Sequence, residues 1–159
     1  QLLGSGAILP EAINAAAMLE KYGVAADVWS VTSYVELQRD CQAADRWNML
    51  HPTAEARVPY IAQVLGSEAT IAATDYMKSF ADQVRAFVPT ENYRVLGTDG
   101  YGRSDSRANL RRFFEVDRYN VVVAALSALA EQGKVSKETV QQAIEKYGIN
   151  ADVAPSWKR

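Results

Sequence analysis

The sequence predicts an α/β fold: three layers, α/β/α, around a mainly parallel sheet, with extra helices at the carboxyl end. Three observations carry that expectation. Short runs of β-formers or small apolar residues alternate with segments of helical periodicity, glycine or proline marks most transitions, and ATIAAT (Ala69 to Thr74) is apolar enough to be buried on both faces. At 159 residues and 48% hydrophobic content, one core is expected, with residues 1–159 forming a single domain.

Leu2 and Leu3 read as the buried end of a first strand running into the turn Gly4-Ser5-Gly6, and the natural polypeptide is expected to begin before Gln1. Beyond Pro10 a helix is expected from Glu11 to Tyr22, with Ile13, Ala16, Ala17 and Leu19 inward and Gly23 as its stop. Val24 to Thr32 supplies the second strand, which a β-α-β unit places parallel to the first. A helix from about Val35 to Met49 follows, then a loop from His51-Pro52 through Pro59, and a short helix over Tyr60 to Leu65 that Gly66 ends. After the third strand, Met77, Phe80, Ala81, Val84, Phe87 and Val88 recur at helical spacing with Lys78, Asp82 and Arg85 outside, which predicts one amphipathic helix.

Tyr93 to Gly97 is the fourth strand, and helices follow. Ser104 or Ser106 caps a helix that Leu110, Phe113 and Phe114 anchor to a core. Asp117 caps a long helix through Val122, Ala125, Leu126 and Leu129, ended by Gly133. Ser136 caps the last, with Val140, Ala143, Ile144 and Tyr147 inward before Gly148. The preferred strand order, numbered along the sequence, is 2-1-3-4, with a topological switch point between Gly4-Ser5-Gly6 and Thr74-Asp75.

Composition excludes several function classes. Lysine and arginine number 17 against 19 acidic residues, so no broad field draws nucleic acid or anionic lipid. No apolar run approaches the roughly 20 residues needed to span a bilayer, and the start lacks the pattern of a secretory signal. Cys41 stands at helical spacing with Leu37 and Ala44 and is expected to be a buried, reduced thiol in a cytoplasmic protein.

Catalytic patterns are sparse. His51 is the one histidine, which removes histidine-rich metal sites and cysteine-histidine pairs, and its place before Pro52 suits a helix exit; no G-x-S-x-G string exists. Gly4-Ser5-Gly6 departs from G-x-G-x-x-G, because Leu9 stands in the third glycine's place, and is expected to be a tight strand-to-helix turn. A regulatory domain binding a nucleotide or small anion near Ser5 and Asp75 is the alternative function. Arg103, Arg107 and Arg111 are spaced by four with Arg112 adjacent, a basic ridge suited to phosphate, carboxylates or another subunit, or simply to solvent. Interleaved Asp105, Glu115 and Asp117 argue against a nucleic-acid groove.

The string TDGYGRSDSRANLRRFFEVD, Thr98 to Asp117, resembles the signature near the carboxyl end of the homodimeric, bacterial-type pyruvate dehydrogenase family, and the Gly-Ser-Gly turn, VTSYVEL and RWNMLHP extend the resemblance along the chain. The resemblance implies the fold of a transketolase C-terminal domain, where an additional antiparallel strand comes first and would here precede Gln1. It implies a homodimeric parent oxidoreductase that uses thiamine diphosphate and magnesium, decarboxylates pyruvate and reductively acetylates the lipoyl group of the acetyltransferase core. In that family two preceding domains hold cofactor and substrate. This segment is therefore expected to be structural and inactive alone, with no catalytic, cofactor-binding or metal residues of its own. Tyr101, Arg103, Asp105, Arg107 and Arg111 are its candidate contacts to upstream domains or the second subunit. The family's metal motif, Gly-Asp-Gly followed further on by asparagine, is not met: Thr98 precedes Asp99-Gly100, and Leu126, Ser127 and Ala128 stand at the corresponding distance.

Overall fold

The computed structural model describes residues 1–159. Four strands, β1 (Leu2–Gly4), β2 (Val28–Ser30), β3 (Thr70–Ala73) and β4 (Tyr93–Leu96), pair in parallel in the order β2-β1-β3-β4. Leu2 lies opposite Val28 on one side and Ile71 on the other, and Ala72 opposite Val95. Strand alternation sends Leu2, Ile71 and Ala73 to one face and Leu3 and Ala72 to the other. The order is the one the sequence predicts.

The first face is covered by α1 (Leu9–Leu19), α6 (Arg118–Glu131) and α7 (Lys137–Lys146), the second by α2 (Tyr34–Leu50), α3 (Tyr60–Val64) and α4 (Lys78–Asp82). A shorter helix, α5 (Arg107–Phe113), leads from the sheet's carboxyl end into α6. Ser33, Ser106, Asp117 and Ser136 each accept a backbone N–H three residues on, capping α2, α5, α6 and α7. Cys41 is fully buried under the second face, and burial raises its thiol pKa.

Three elements depart from expectation. Helix α1 begins at Leu9, one residue before Pro10, so its inward stripe is Ile8, Ala12, Ala15 and Leu19, and Ile13 is 54% exposed. Only Val28–Ser30 of the long β-rich run pairs, because Val24 N–H closes the turn onto the Leu19 carbonyl. The single helix expected over Met77 to Val88 is instead α4 followed by a separate 3₁₀ turn at Arg85–Phe87. The Tyr93 hydroxyl donates to the Ala81 carbonyl at 2.7 Å, taking the acceptor the next turn would use. Ala81, Val84 and Val88 stay buried, while Met77 and Phe80 turn outward.

Candidate functional site

The switch point lies where β1 and β3 end side by side. Ser5 N–H donates to the Ala73 carbonyl at 3.1 Å, and the buried Ser5 hydroxyl donates to Thr74 Oγ1 at 2.8 Å. Asp75 reaches across to the Gly-Ser-Gly turn, where its Oδ2 accepts Ala7 N–H at 3.3 Å. A Cβ on Gly6 would stand 2.3 Å from Asp75 Oδ1, so the carboxylate fills the space against the turn. The position an anionic ligand would take over a strand-to-helix turn therefore holds an anion of the chain's own. A crevice of about 430 Å³ beside it is lined by Thr32–Val35, Tyr76 and Phe80.

The glycine-rich loop after β4 is shaped by chain crossings. A Cβ on Gly97 would come within 2.8 Å of Tyr76 O and Lys78 N, and one on Gly100, whose φ is +111°, within 3.0 Å of Trp157 Cα. Asp99 Oδ1 accepts Lys78 N–H at 2.9 Å, at the start of α4. No group of three or more His, Cys, Asp or Glu side chains is placed to hold a metal ion.

A cleft of about 460 Å³ between this loop and α5 brings together Arg103, Asp105, Arg107 and Arg111 with Asp75. The arginines do not form one ridge. Arg103 precedes the helix and lays its guanidinium 4.4 Å from the Phe113 ring centre, whereas Arg107, the first residue of α5, is exposed. Arg111 turns inward, its Nη1 2.8 Å from Glu11 Oε1 and its Nη2 2.8 Å from the Ala7 carbonyl. Arg112 donates to the Tyr147 and Gly148 carbonyls and pairs with Asp117 at 3.2 Å, tying α5 to the end of α7. Asp105 is occupied locally by Ser106 N–H and Asn109 Nδ2, and these hydrogen bonds hold its carboxyl below the usual range. Tyr101, 87% exposed, stands on the same loop.

Glu11 was not visible as special in the sequence. It is 3% exposed and accepts from Arg111, from Arg118 Nε and Nη2 at 2.9 and 3.0 Å, and from Arg118 N–H at 2.9 Å. Burial acts to raise its carboxyl pKa; the Arg118 hydrogen bonds and the charges of Arg118 and Arg111 outweigh it and leave the group lowered. An acid in the first turn of a helix ordinarily serves the helix dipole, and its partners lie about a hundred residues away, beyond any local signal. An exposed apolar rim adjoins the crevice, where the Tyr76 and Phe80 rings lie 5.5 Å apart, and nearby Lys78 Nζ lies 5.0 Å from the centre of the exposed Trp157 ring.

Residues 1–117 match the family described as the Transketolase-like TK C-terminal domain. The chain belongs to this family. This transketolase-like domain is 60% identical over 153 residues to the pyruvate dehydrogenase E1 component of Escherichia coli K12, and equally so to that of Haemophilus influenzae. It is 54% identical over 155 residues to the one from Pseudomonas aeruginosa. Each match covers 96% of the chain but only 17 to 18% of the relative, so the chain spans about a sixth of the relatives' length. Among solved structures, a split-gene transketolase described as an inactive beta4 tetramer superposes with a TM-score of 0.52 at 19% identity, covering 81% of this chain and 38% of that one, which shows a shared fold.

Proposed function

We propose that this chain is the C-terminal domain of a pyruvate dehydrogenase E1 component, a cytoplasmic homodimeric oxidoreductase that decarboxylates pyruvate on thiamine diphosphate and passes the two-carbon unit to the lipoyl group of the acetyltransferase core. The 60% identity across 96% of the chain carries this reading. Within it, the domain packs against upstream domains and the second subunit through Tyr101, Arg103, Asp105, Arg107 and the apolar rim, with Arg111 as the internal tie that holds the cleft.

The residues present do not fit the coenzyme. Thiamine diphosphate needs a carboxylate free to face its aminopyrimidine and a ligand set for the diphosphate's magnesium. Asp99 is committed to Lys78 N–H, Asp75 to Ala7 N–H and Glu11 to two arginines. No chemical step is therefore assigned to this chain. The alternative, a regulatory site for a nucleotide or phosphorylated metabolite, would have to displace Asp75 from the Gly-Ser-Gly turn.

The test is to measure carbon dioxide release from pyruvate with thiamine diphosphate and magnesium, using this chain alone, the remaining E1 polypeptide alone, and the two together. The expected result is activity in the mixture and none from this chain. Turnover by this chain alone, or a mixture no more active than the remainder, would overturn the reading. Arg107→Glu is expected to lower the mixture's activity by at least tenfold without altering the melting temperature of the chain.

A further inference from the structure

After α7 the chain does not stop at the helix end but returns over residues 150–159 to the carboxyl end of the sheet, closing in one 3₁₀ turn at Ser156–Lys158. Ser156 is buried there, its hydroxyl donating to the Asp99 carbonyl at 2.6 Å. Arg159 Nη2 donates to the Phe113 carbonyl at 3.0 Å and to Glu115 at 3.1 Å, and its guanidinium lies 4.6 Å from the centre of the Phe113 ring that Arg103 also covers. Trp157 crosses Gly100 so closely that a Cβ there would meet Trp157 Cα at 3.0 Å and Ser156 O at 3.1 Å.

The loop beneath this crossing has little order of its own. Between Gly100 and Asp105 no backbone N–H is hydrogen-bonded within the chain. What holds it are its flanks: Thr98 N–H on the Tyr76 carbonyl at 2.9 Å, Asp99 on Lys78 N–H, and the Asp99 carbonyl on Ser156. Asp99 thus grips the β3–α4 segment with its side chain and the terminal segment with its main chain. A loop so built is rigid only while both flanks stay in place.

We propose that Ser156, Trp157 and Arg159 are positioning residues for the contact loop. The terminal segment is a strap that clamps Gly97–Asp105 against the β3–α4 turn, so that Tyr101, Arg103 and Arg107 meet their partner surface in one geometry. The strap lies outside residues 1–117 that the family match covers. It also gives Gly100 a physical reason: a side chain there would push the strap away. That the loop is a contact surface rests on the function proposed above; that the strap orders it does not.

The experiment is nitrogen-15 relaxation of the 159-residue chain and of two variants, Gly100→Ala and the pair Ser156→Ala with Arg159→Ala, with the Trp157 indole signal reporting the strap. Both variants are expected to release the strap and to lower the order parameters of Tyr101–Asp105 from about 0.85 to below about 0.6, while the β-strand amides keep their values. Rigid loop amides with a released strap would overturn the proposal, and so would a strap that stays ordered in both variants. If Gly100→Ala fails to fold, the pair of side-chain truncations, which leaves the backbone at Gly100 untouched, decides. A disordered loop in a chain that still restores full activity to the remaining E1 polypeptide would remove the contact reading and leave the strap's role standing.

Discussion

At the scale of single residues, Glu11 is where stability and pH meet. Its carboxylate is nearly solvent-free and is held by a bidentate guanidinium, a second guanidinium and a backbone N–H. Removing the charge leaves Arg111 and Arg118 without their shared partner, so Glu11→Ala is expected to cost about 3 kcal/mol, roughly 6–12 °C in melting temperature. Because the folded-state pKa lies below the unfolded one, this stabilisation is complete above the ordinary glutamate range near about 4.3 and is lost as pH falls through the folded value. Thermal melts from about pH 7 down to about pH 3 should show the parent losing stability below about pH 5 and Glu11→Gln losing visibly less. Parallel pH profiles would show that the cluster does not act as described. Nothing in the sequence marked Glu11, since its partners are far along the chain. The capping residues Ser106, Asp117 and Ser136, by contrast, act on amides three positions away and so could be read directly, whereas the Ser33 cap of α2 was not anticipated.

At the scale of elements, the helices whose boundaries rest on local chemistry were legible and those decided by tertiary contacts were not. Helices α6 and α7 begin after the expected Asp117 and Ser136 caps and end before Gly133 and Gly148. Helix α4 is short because of a hydroxyl from β4, eleven residues beyond the helix end, and no periodicity could show that. The arginines follow the same division: spacing placed Arg107 and Arg111 one turn apart on α5, but only the fold shows one facing outward and the other tied to Glu11. Helix α7 is the peripheral element of its layer, joined by Ala143, Val140 and a Tyr22–Tyr147 hydroxyl pair at 2.9 Å. Its cap therefore contributes measurably: Ser136→Ala should cost about 1 kcal/mol in urea unfolding, and Ser136→Asp about nothing. A cost for Ser136→Asp as large as that for alanine would mean the hydroxyl serves its contact with Thr139 Oγ1 at 3.0 Å more than the helix end.

At the scale of the whole molecule, the strand order was readable because parallel strands joined by helices admit few arrangements, whereas the terminal strap left no periodic trace. The family match ends at Asp117, yet the core does not. Val121, Val122 and Leu126 of α6 are essentially solvent-free and pack against Leu2, Ile8, Ala12, Ala15, Leu19 and Ile71. At about 1.5–3 kcal/mol for each buried Val or Leu, those three side chains put roughly 5–9 kcal/mol at stake. A domain's net stability is only about 5–15 kcal/mol. Cutting the chain after Asp117 also strips Arg118 from Glu11, leaving a buried carboxylate with one partner fewer. Residues 1–117 are therefore expected not to fold alone: heating should give no cooperative transition, the amide spectrum should collapse, and a hydrophobic dye should bind. Adding back residues 118–159 as a separate peptide should restore part of the spectrum if docking of α6 is what completes the core. A sharp melt and a dispersed spectrum from residues 1–117 alone would mean that the first face of the sheet is adequately covered by α1, and that α6, α7 and the strap are appendages to a core that closes without them.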